Sequence, residues 1–424
     1  MVDRPYDVTV WGATGTVGRL ICENLATHYT PRVKWAVAGR TPANLKKIKD
    51  QAIKINPACK DVGVLVGDMT KQASVDEVVR STHVVIAAAG PYTKLGGPVV
   101  DACVRLHSHY LDLSAELPWM RDIQRKYHDK AVHEKVKIVH TSGFDSIPSD
   151  IGALFVADHM LNHMGRRPAS VKFLFGGGFG TFASGTLSSL FTAFAEPSRD
   201  EQKVNANPYN LNPPDDRSGP DRPDSYSASY HAAGKTWTAP FIMAPCNTRV
   251  VRRSQHLLGH PFGKDFSYTE GQAVPNVAVA YLVAGMYQLF GLLLFLRPLQ
   301  PVWSWLLPRI GVPPGNFVKK YGSWDARVVA ESEPDASGKT VTATAILKHG
   351  APGGDPGYYS TSRLILEAAL CLALQEDQLA QAGLRQGGCI TPASACGLFL
   401  VDRLRKAGLT VEIEGVNSNS KKAS

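Results

Sequence analysis

Apolar and polar positions follow two rhythms along the first 150 residues. Short β-prone runs at Asp7–Trp11, Val33–Ala38, Val62–Val66, His83–Ala88, His109–Asp112 and Lys137–His140 predict strands. Between them lie stretches with helical spacing. In Arg19–Ala26, Leu20, Ile21 and Leu25 share one face, and Pro98–Leu106 and Pro118–Glu134 read the same way. Repeated strand–helix units predict an α/β class, with a doubly wound parallel sheet.

After Asp150 the pattern changes. Ser149–Met164 predicts a helix and Ala169–Phe175 a strand. Gly176–Gly180 reads as a flexible loop, a hinge or substrate-side backbone, since it lacks the lysine and hydroxyl of a phosphate-cradling loop. Glu196–Ser229, rich in Pro, Asp, Asn, Ser and Arg, reads as a long surface loop or lid. Ala326–Glu333 and Thr340–Leu347 alternate, as strands of an antiparallel sheet with one wet face do. Ser360–Leu374 predicts an apolar helix, and Gly387–Lys406 ends in an amphipathic one. The expected organisation is a first domain over 1–150 and an α+β substrate or dimerisation domain over 151–385, mostly antiparallel. This second domain contains the loop 196–229 and an apolar segment, 274–309. Residues 386–416 form a helix and strand returning to the first domain, and 417–424 a disordered polar tail.

Composition narrows the class. The chain has 424 residues, a net charge of +9 and the charge content of an ordinary globular protein. No dense Lys/Arg stripe with interleaved aromatics occurs, which argues against a nucleic-acid partner. The seven cysteines are scattered, without a C-x-x-C pair, so neither a disulfide framework nor a zinc site is expected, and a reduced compartment fits. The chain enters its first strand almost at once, without the apolar stretch of a secretory signal.

The chemistry starts at the turn after the first strand. Val10–Gly18 reads V-W-G-A-T-G-T-V-G, a G-x-x-G-x-x-G variant of the dinucleotide fingerprint, and it identifies the first domain as a Rossmann unit. Gly12 permits the sharp turn, Gly15 lets backbone approach a diphosphate, and Gly18 lets the helix pack close. Ala13, Thr14, Thr16 and Val17 complete the phosphate-facing stretch, whose amides sit at a helix N-terminus. The second strand ends in Gly39-Arg40, where NAD-specific folds place an acid on the ribose; an arginine there suits the 2′-phosphate of NADP(H), with NAD(H) the alternative. Asp68 reads either as an adenine partner or as a turn cap for Thr70. Gly90-Pro91 reads as backbone close to the nicotinamide half, or as a plain turn.

Val277–Leu296 carries no charge and has Gln288 as its one strongly polar side chain. As a helix it would be about 30 Å long, enough for a bilayer core. Trp303 and Trp305 follow beside Arg297 and Arg309, as at a headgroup interface. A full crossing would separate the later strands from the first domain, so a monotopic insertion into a membrane or lipid droplet, facing the cytosol, is the expectation. A buried core helix, or the interface of a homodimer in a cytoplasmic protein, is the alternative.

These residues together resemble the saccharopine dehydrogenase-like oxidoreductases, a group that includes a lipid-droplet-associated animal protein and bacterial trans-acting enoyl reductases. The resemblance runs nearly end to end, through Val10–Gly18, Trp35–Arg40, Gly90–Tyr92, Asp112–Glu116, Ser142–Asp150, Val250–Arg253 and Thr391–Ala393. Ala115 stands where the family usually has glycine. The resemblance implies hydride transfer from NADP(H) to an enoyl or carbonyl group of a lipid-like small molecule. The cationic set that a saccharopine substrate needs is not assignable, so soluble amino-acid chemistry is an alternative, as is a non-catalytic dinucleotide-binding scaffold. Candidate catalytic residues are Tyr92, as a phenolic donor or packing aromatic, and Asp145 and Ser146 after the sixth strand, with a helix cap as the alternative for Ser146. Glu116 reads as a loop-holding acid and His140 as a half-buried strand residue. No clustered metal ligands are evident in the sequence.

Overall fold

The computed structural model describes residues 4–181, 199–299, 301–303, 305–306 and 315–419. Its strands are β1 (Tyr6–Trp11), β2 (Trp35–Gly39), β3 (Gly63–Val66), β4 (Thr82–Ala87), β5 (His109–Asp112), β6 (Lys137–Val139) and β7 (Pro168–Phe179). They continue as β8 (Ser229–His231), β9 (Thr236–Ala239), β10 (Ser267–Val274), β11 (Ser323–Ser332), β12 (Thr340–His349), β13 (Gly388–Ile390) and β14 (Thr410–Asn419). The first sheet is wholly parallel, in the order β13-β6-β5-β4-β1-β2-β3. The order reverses between β1 and β4, which opens a crevice at their carboxyl ends. Its central strands are apolar because both faces are covered: β2 (W-A-V-A-G) is buried over its first four residues.

The second sheet runs β14-β12-β11-β7-β10-β9-β8. β7 and β10 are parallel; every other pair is antiparallel. One helix, Ile147–Asp158, leaves the first sheet and packs across β7, β11 and β12. Helix Thr361–Leu374 comes from the far end of the chain, yet packs on β1, β4 and the helix Thr16–Asn24. One apolar cluster therefore runs from Val8 and Val10 through Leu364 and Leu370 to Phe173, Val328 and Leu347. The two sheets share a core.

Several expectations need correction. Gly176–Gly180 is not a hinge: β7 continues to Phe179 and pairs with β11 across a bulge beside Asp325. Of Glu196–Ser229, residues 196–198 lie outside the described residues. The rest is not a free lid: it contains the helix Arg199–Ala206, and Tyr209, Asn210, Leu211 and Asn212 are buried. The C-terminal part divides. β13 joins the first sheet, whereas β14 pairs with β12 in the second rather than returning. The expected tail, 417–424, is strand as far as Asn419; residues 420–424 lie outside the described residues. All seven cysteines are free and buried.

The apolar segment forms the helix Val277–Phe295. Ala280 and Ala284 are buried, and the amino-terminal half packs on β9. Gln288 donates to the Tyr226 carbonyl at 2.8 Å. Trp303 folds back, donating to the Leu293 carbonyl at 3.1 Å. Among the described residues, no helix is long and apolar enough to cross a membrane.

Candidate active site

The turn after β1 is shaped by its glycines. Gly12 has φ +88°, in the left-handed region, and a Cβ there would sit 2.9 Å from Ala89. The helix Thr16–Asn24 starts with Gly15 as its N-cap, and no acid stands in its first turn. Gly15 is exposed, with its own amide donating to the Gly12 carbonyl at 2.9 Å, while Ala13 and Gly18 are buried beneath it. Thr14, Thr16 and Val17 are half-buried around the same turn. Amides at such a terminus have no intrahelical acceptor and favour an anion.

On one side of this turn lies Gly39-Arg40, tied to β3 by Gly67 N–H donating to the Gly39 carbonyl at 2.9 Å. Arg40 is exposed, and its guanidinium makes no ion pair among the described residues. Asp68 lies close enough for Arg40 to stabilise its charge. Its carboxylate caps the next turn, accepting from the Thr70 amide at 3.0 Å and the Thr70 hydroxyl at 2.8 Å. Those two bonds hold the Asp68 carboxyl below its usual range. An exposed cation and a helix terminus with no acid in its first turn suit a 2′-phosphorylated dinucleotide.

On the other side, β4 leads through Gly90-Pro91, a cis bond, into the helix Tyr92–Arg105. Glu116 caps this helix: its carboxylate accepts from the Tyr92 amide at 3.2 Å, from the Thr93 amide at 3.0 Å and from the Thr93 hydroxyl. Tyr92 itself is not placed as a proton donor. Its hydroxyl donates to the Ala87 carbonyl at 3.0 Å and accepts from the Leu113 amide at 3.3 Å, and its ring stacks on Trp119. Burial, helped by the charges of Asp112, Glu116 and Asp145, pushes its pKa well up. The alternative reading, a packing aromatic, describes it. His140 is buried rather than half-buried, and one ring nitrogen, Nδ1, bonds Asp112 at 2.8 Å.

Asp145 and Ser146 follow β6. The Asp145 carboxyl is half-buried and makes no hydrogen bond among the described residues; desolvation alone raises it to about 6. Its charge reaches both Tyr92 and Cys246, so it faces the second domain's helix Ala244–Leu257. Ser146 begins the helix Ile147–Asp158 without capping it through its side chain; its hydroxyl instead donates to Asn247 Oδ1 at 3.0 Å. Asn247 in turn donates to Ser149 Oγ and Glu270 Oε2, both at 3.1 Å, and Tyr268 donates to Glu270 at 2.8 Å. Burial pushes the Glu270 carboxyl up to about 8. Neither Asn247 nor Glu270 stands out in the sequence: Asn247 gains its meaning from Ser146 and Ser149, 101 and 98 positions away, and Glu270 from its bonds to Asn247 and Tyr268.

The remaining motifs converge one turn further on. Asp150 accepts from the Ser254 hydroxyl and from the Ala393 amide at 2.8 Å, and Ser254 bonds Thr391 at 2.6 Å. Arg253 donates to the Cys389 carbonyl, and Arg252 pairs with Asp221 at 2.5 Å. These charged motifs fasten β13 and the second domain to the crevice; they do not line it with free cations.

Parallel topology, a bare phosphate turn at the switch point and an unpaired arginine define a dinucleotide-dependent oxidoreductase of the Rossmann class. Residues 8–139 match the saccharopine dehydrogenase NADP-binding domain. A Mycobacterium tuberculosis protein provisionally named a trans-acting enoyl reductase is 32% identical, covering 96% of this chain and 97% of its own. The trans-acting enoyl reductase of Mycobacterium ulcerans is 31% identical over 96% and 97%. Saccharopine dehydrogenase (L-Glu forming) of Saccharomyces cerevisiae shares the fold, with a TM-score of 0.54 at 14% identity over 97% of this chain and 99% of that one. The chain belongs to the saccharopine dehydrogenase-like family and is an NADP-dependent oxidoreductase.

Proposed function

We propose that this enzyme reduces an activated C=C or C=O bond of a lipid-like molecule at the cytosolic surface of a membrane or lipid droplet. The name of its mycobacterial relatives supports the enoyl choice. One observation carries the lipid part. Tyr281, Leu282, Met286, Leu289 and Leu292 form one face of the helix Val277–Phe295 and are 62, 63, 63, 57 and 61% exposed. Contiguous apolar surface of this kind marks an interaction site. Burying what these side chains leave exposed is worth roughly 5 kcal/mol, enough to hold the protein on an apolar phase. The net charge of +9 favours an anionic surface.

NADPH, when bound, supplies the hydride. The backbone of Gly12–Gly18 would hold its diphosphate and Arg40 its 2′-phosphate, and Gly39, Asp68, Gly90 and Pro91 would flank the bound nucleotide. Asp145 delivers the proton to the substrate. It is desolvated, unpartnered and poised near neutrality, as a general acid must be. The bonded set Ser146–Asn247–Glu270 fixes the loop that carries it.

Flotation tests the reading. The full chain should rise with phosphatidylcholine/phosphatidylserine vesicles or a triacylglycerol emulsion. A Leu282→Glu/Leu289→Glu/Leu292→Glu variant should stay below. Wild-type protein that never floats, yet forms a dimer that this variant dissolves, would make the face a subunit interface instead. Oxidation of NADPH on addition of a fractionated lipid extract then identifies the substrate.

A further inference from the structure

Folding brings together three side chains that the sequence keeps apart. Asp216 lies on the short turn Pro214–Asp216, His256 in the last turn of the helix Ala244–Leu257, and His260 just beyond it. One carboxylate oxygen, Asp216 Oδ2, bonds His256 Nδ1 at 2.7 Å and His260 Nε2 at 3.1 Å. The three donor atoms all lie within 4.8 Å of one another. The placement of His260 is held by its backbone: φ is +55°, and its amide donates to the Gln255 carbonyl at 2.7 Å. That left-handed turn swings its ring back beside His256, with centroids 6.0 Å apart.

We propose that Asp216, His256 and His260 form a binding site for one divalent transition ion of the zinc type. Two imidazole nitrogens and one carboxylate oxygen make a borderline donor set, suited to Zn²⁺ or Co²⁺ rather than to Mg²⁺ or Ca²⁺. Donor separations of 2.7 to 4.8 Å bracket those around an ion held at about 2.0–2.2 Å in tetrahedral geometry. The side chains keep 15, 26 and 22% exposure, which leaves a fourth position to water. No lysine or arginine pairs with Asp216 among the described residues. Nearby Arg253 spends its bonds on His128 and the Cys389 carbonyl. Asn212 donates to the same carboxylate oxygen at 3.1 Å and orients it. An ion here clamps the Asn207–Asp216 segment onto the helix that carries Asn247 and Arg253.

The test uses untagged full-length protein stripped with a chelator and titrated with CoCl₂. The expected result is saturable uptake of one Co²⁺ per chain, with the visible absorption of a low-coordinate ion that Zn²⁺ abolishes. His256→Ala and His260→Ala should weaken uptake by more than about 100-fold, whereas His133→Ala, at an exposed surface ring, should leave it unchanged. Should the variants misfold, the wild type still decides. One equivalent of Zn²⁺ should raise its melting temperature, and one equivalent of Mg²⁺ should not. Absence of saturable uptake by the wild type, or uptake that survives both substitutions, overturns the site.

Discussion

Gly18 lies directly against the carbonyl of Gly12: a Cβ at residue 18 would fall 2.2 Å from that oxygen. The helix Thr16–Asn24 is therefore pressed onto the turn that ends β1. Gly18→Ala must push the two apart, at a cost above about 2 kcal/mol, and should lower the melting temperature as well as abolish nucleotide binding. At Gly15 the nearest atom to such a Cβ is 3.3 Å away and the residue faces outward. Gly15→Ala should leave stability within about 0.5 kcal/mol yet still weaken NADPH. Thermal melts beside calorimetric titration distinguish the two; equal destabilisation by both would refute the division of roles.

Arg40 stands exposed beside Asp68, without an ion-pair partner among the described residues. Its charge is available to a 2′-phosphate, and a charged hydrogen bond of this kind contributes about 1.5–3 kcal/mol. Arg40→Asp should weaken NADPH by about 100-fold or more, since it adds repulsion to the lost bond, and should change NADH much less. Dissociation constants for both nucleotides provide the check. Equal loss of the two would show that Arg40 supports the loop rather than the phosphate.

Much of the first sheet is legible in the sequence because its signals are local. β5 spans His109–Asp112 as its apolar run indicates, and the glycine turn reads correctly because each glycine acts within a few residues. β13, three residues between glycine and proline, carries too little pattern to announce itself. The helix Ala244–Leu257 is obscured by its own composition: Arg249, Arg252 and Arg253 are buried, and each bonds a distant partner, Asp224, Asp221 and the Cys389 carbonyl respectively. The site divides in the same way. Asp145 and Ser146 are visible as a strand end, but Tyr92 is reinterpreted because the atoms that engage its hydroxyl, Ala87 O and Leu113 N, are main chain. No side-chain pattern reports such bonds.

Asp145 gives a catalytic prediction with a defined sign. Its carboxyl titrates near 6, and the acid form is the one that donates. Turnover should therefore fall as pH rises through about 6, provided that proton transfer limits the rate. Asp145→Asn should lower kcat by about 10²–10⁴-fold while leaving NADPH affinity within about twofold of wild type, and should erase the limb near pH 6. A variant that keeps the wild-type pH profile would remove Asp145 from the chemistry.

Glu270 sets a stability trend opposite to the usual one for a carboxylate. An ordinary glutamate in an unfolded chain titrates near 4.5, but here burial raises the folded value to about 8, despite hydrogen bonds from Tyr268 and Asn247 that oppose the rise. Between those two values the folded state binds the proton that the unfolded state has lost. Unfolding then releases a proton, so stability decreases as pH rises from about 4.5 to about 8 and levels off above it. Asp150, raised to about 7 by the same desolvation, adds to the slope at its acid end. Glu270→Gln keeps the size and one acceptor and removes the titration. It should leave the melting temperature near pH 5 little changed and raise it at pH 8 relative to wild type, by the equivalent of up to several kcal/mol. Melting curves of the two proteins across this range supply the comparison. Parallel curves, with no gap opening toward alkaline pH, would mean that Glu270 is already ionised in the fold and that Asn247 and Tyr268 stabilise its charge.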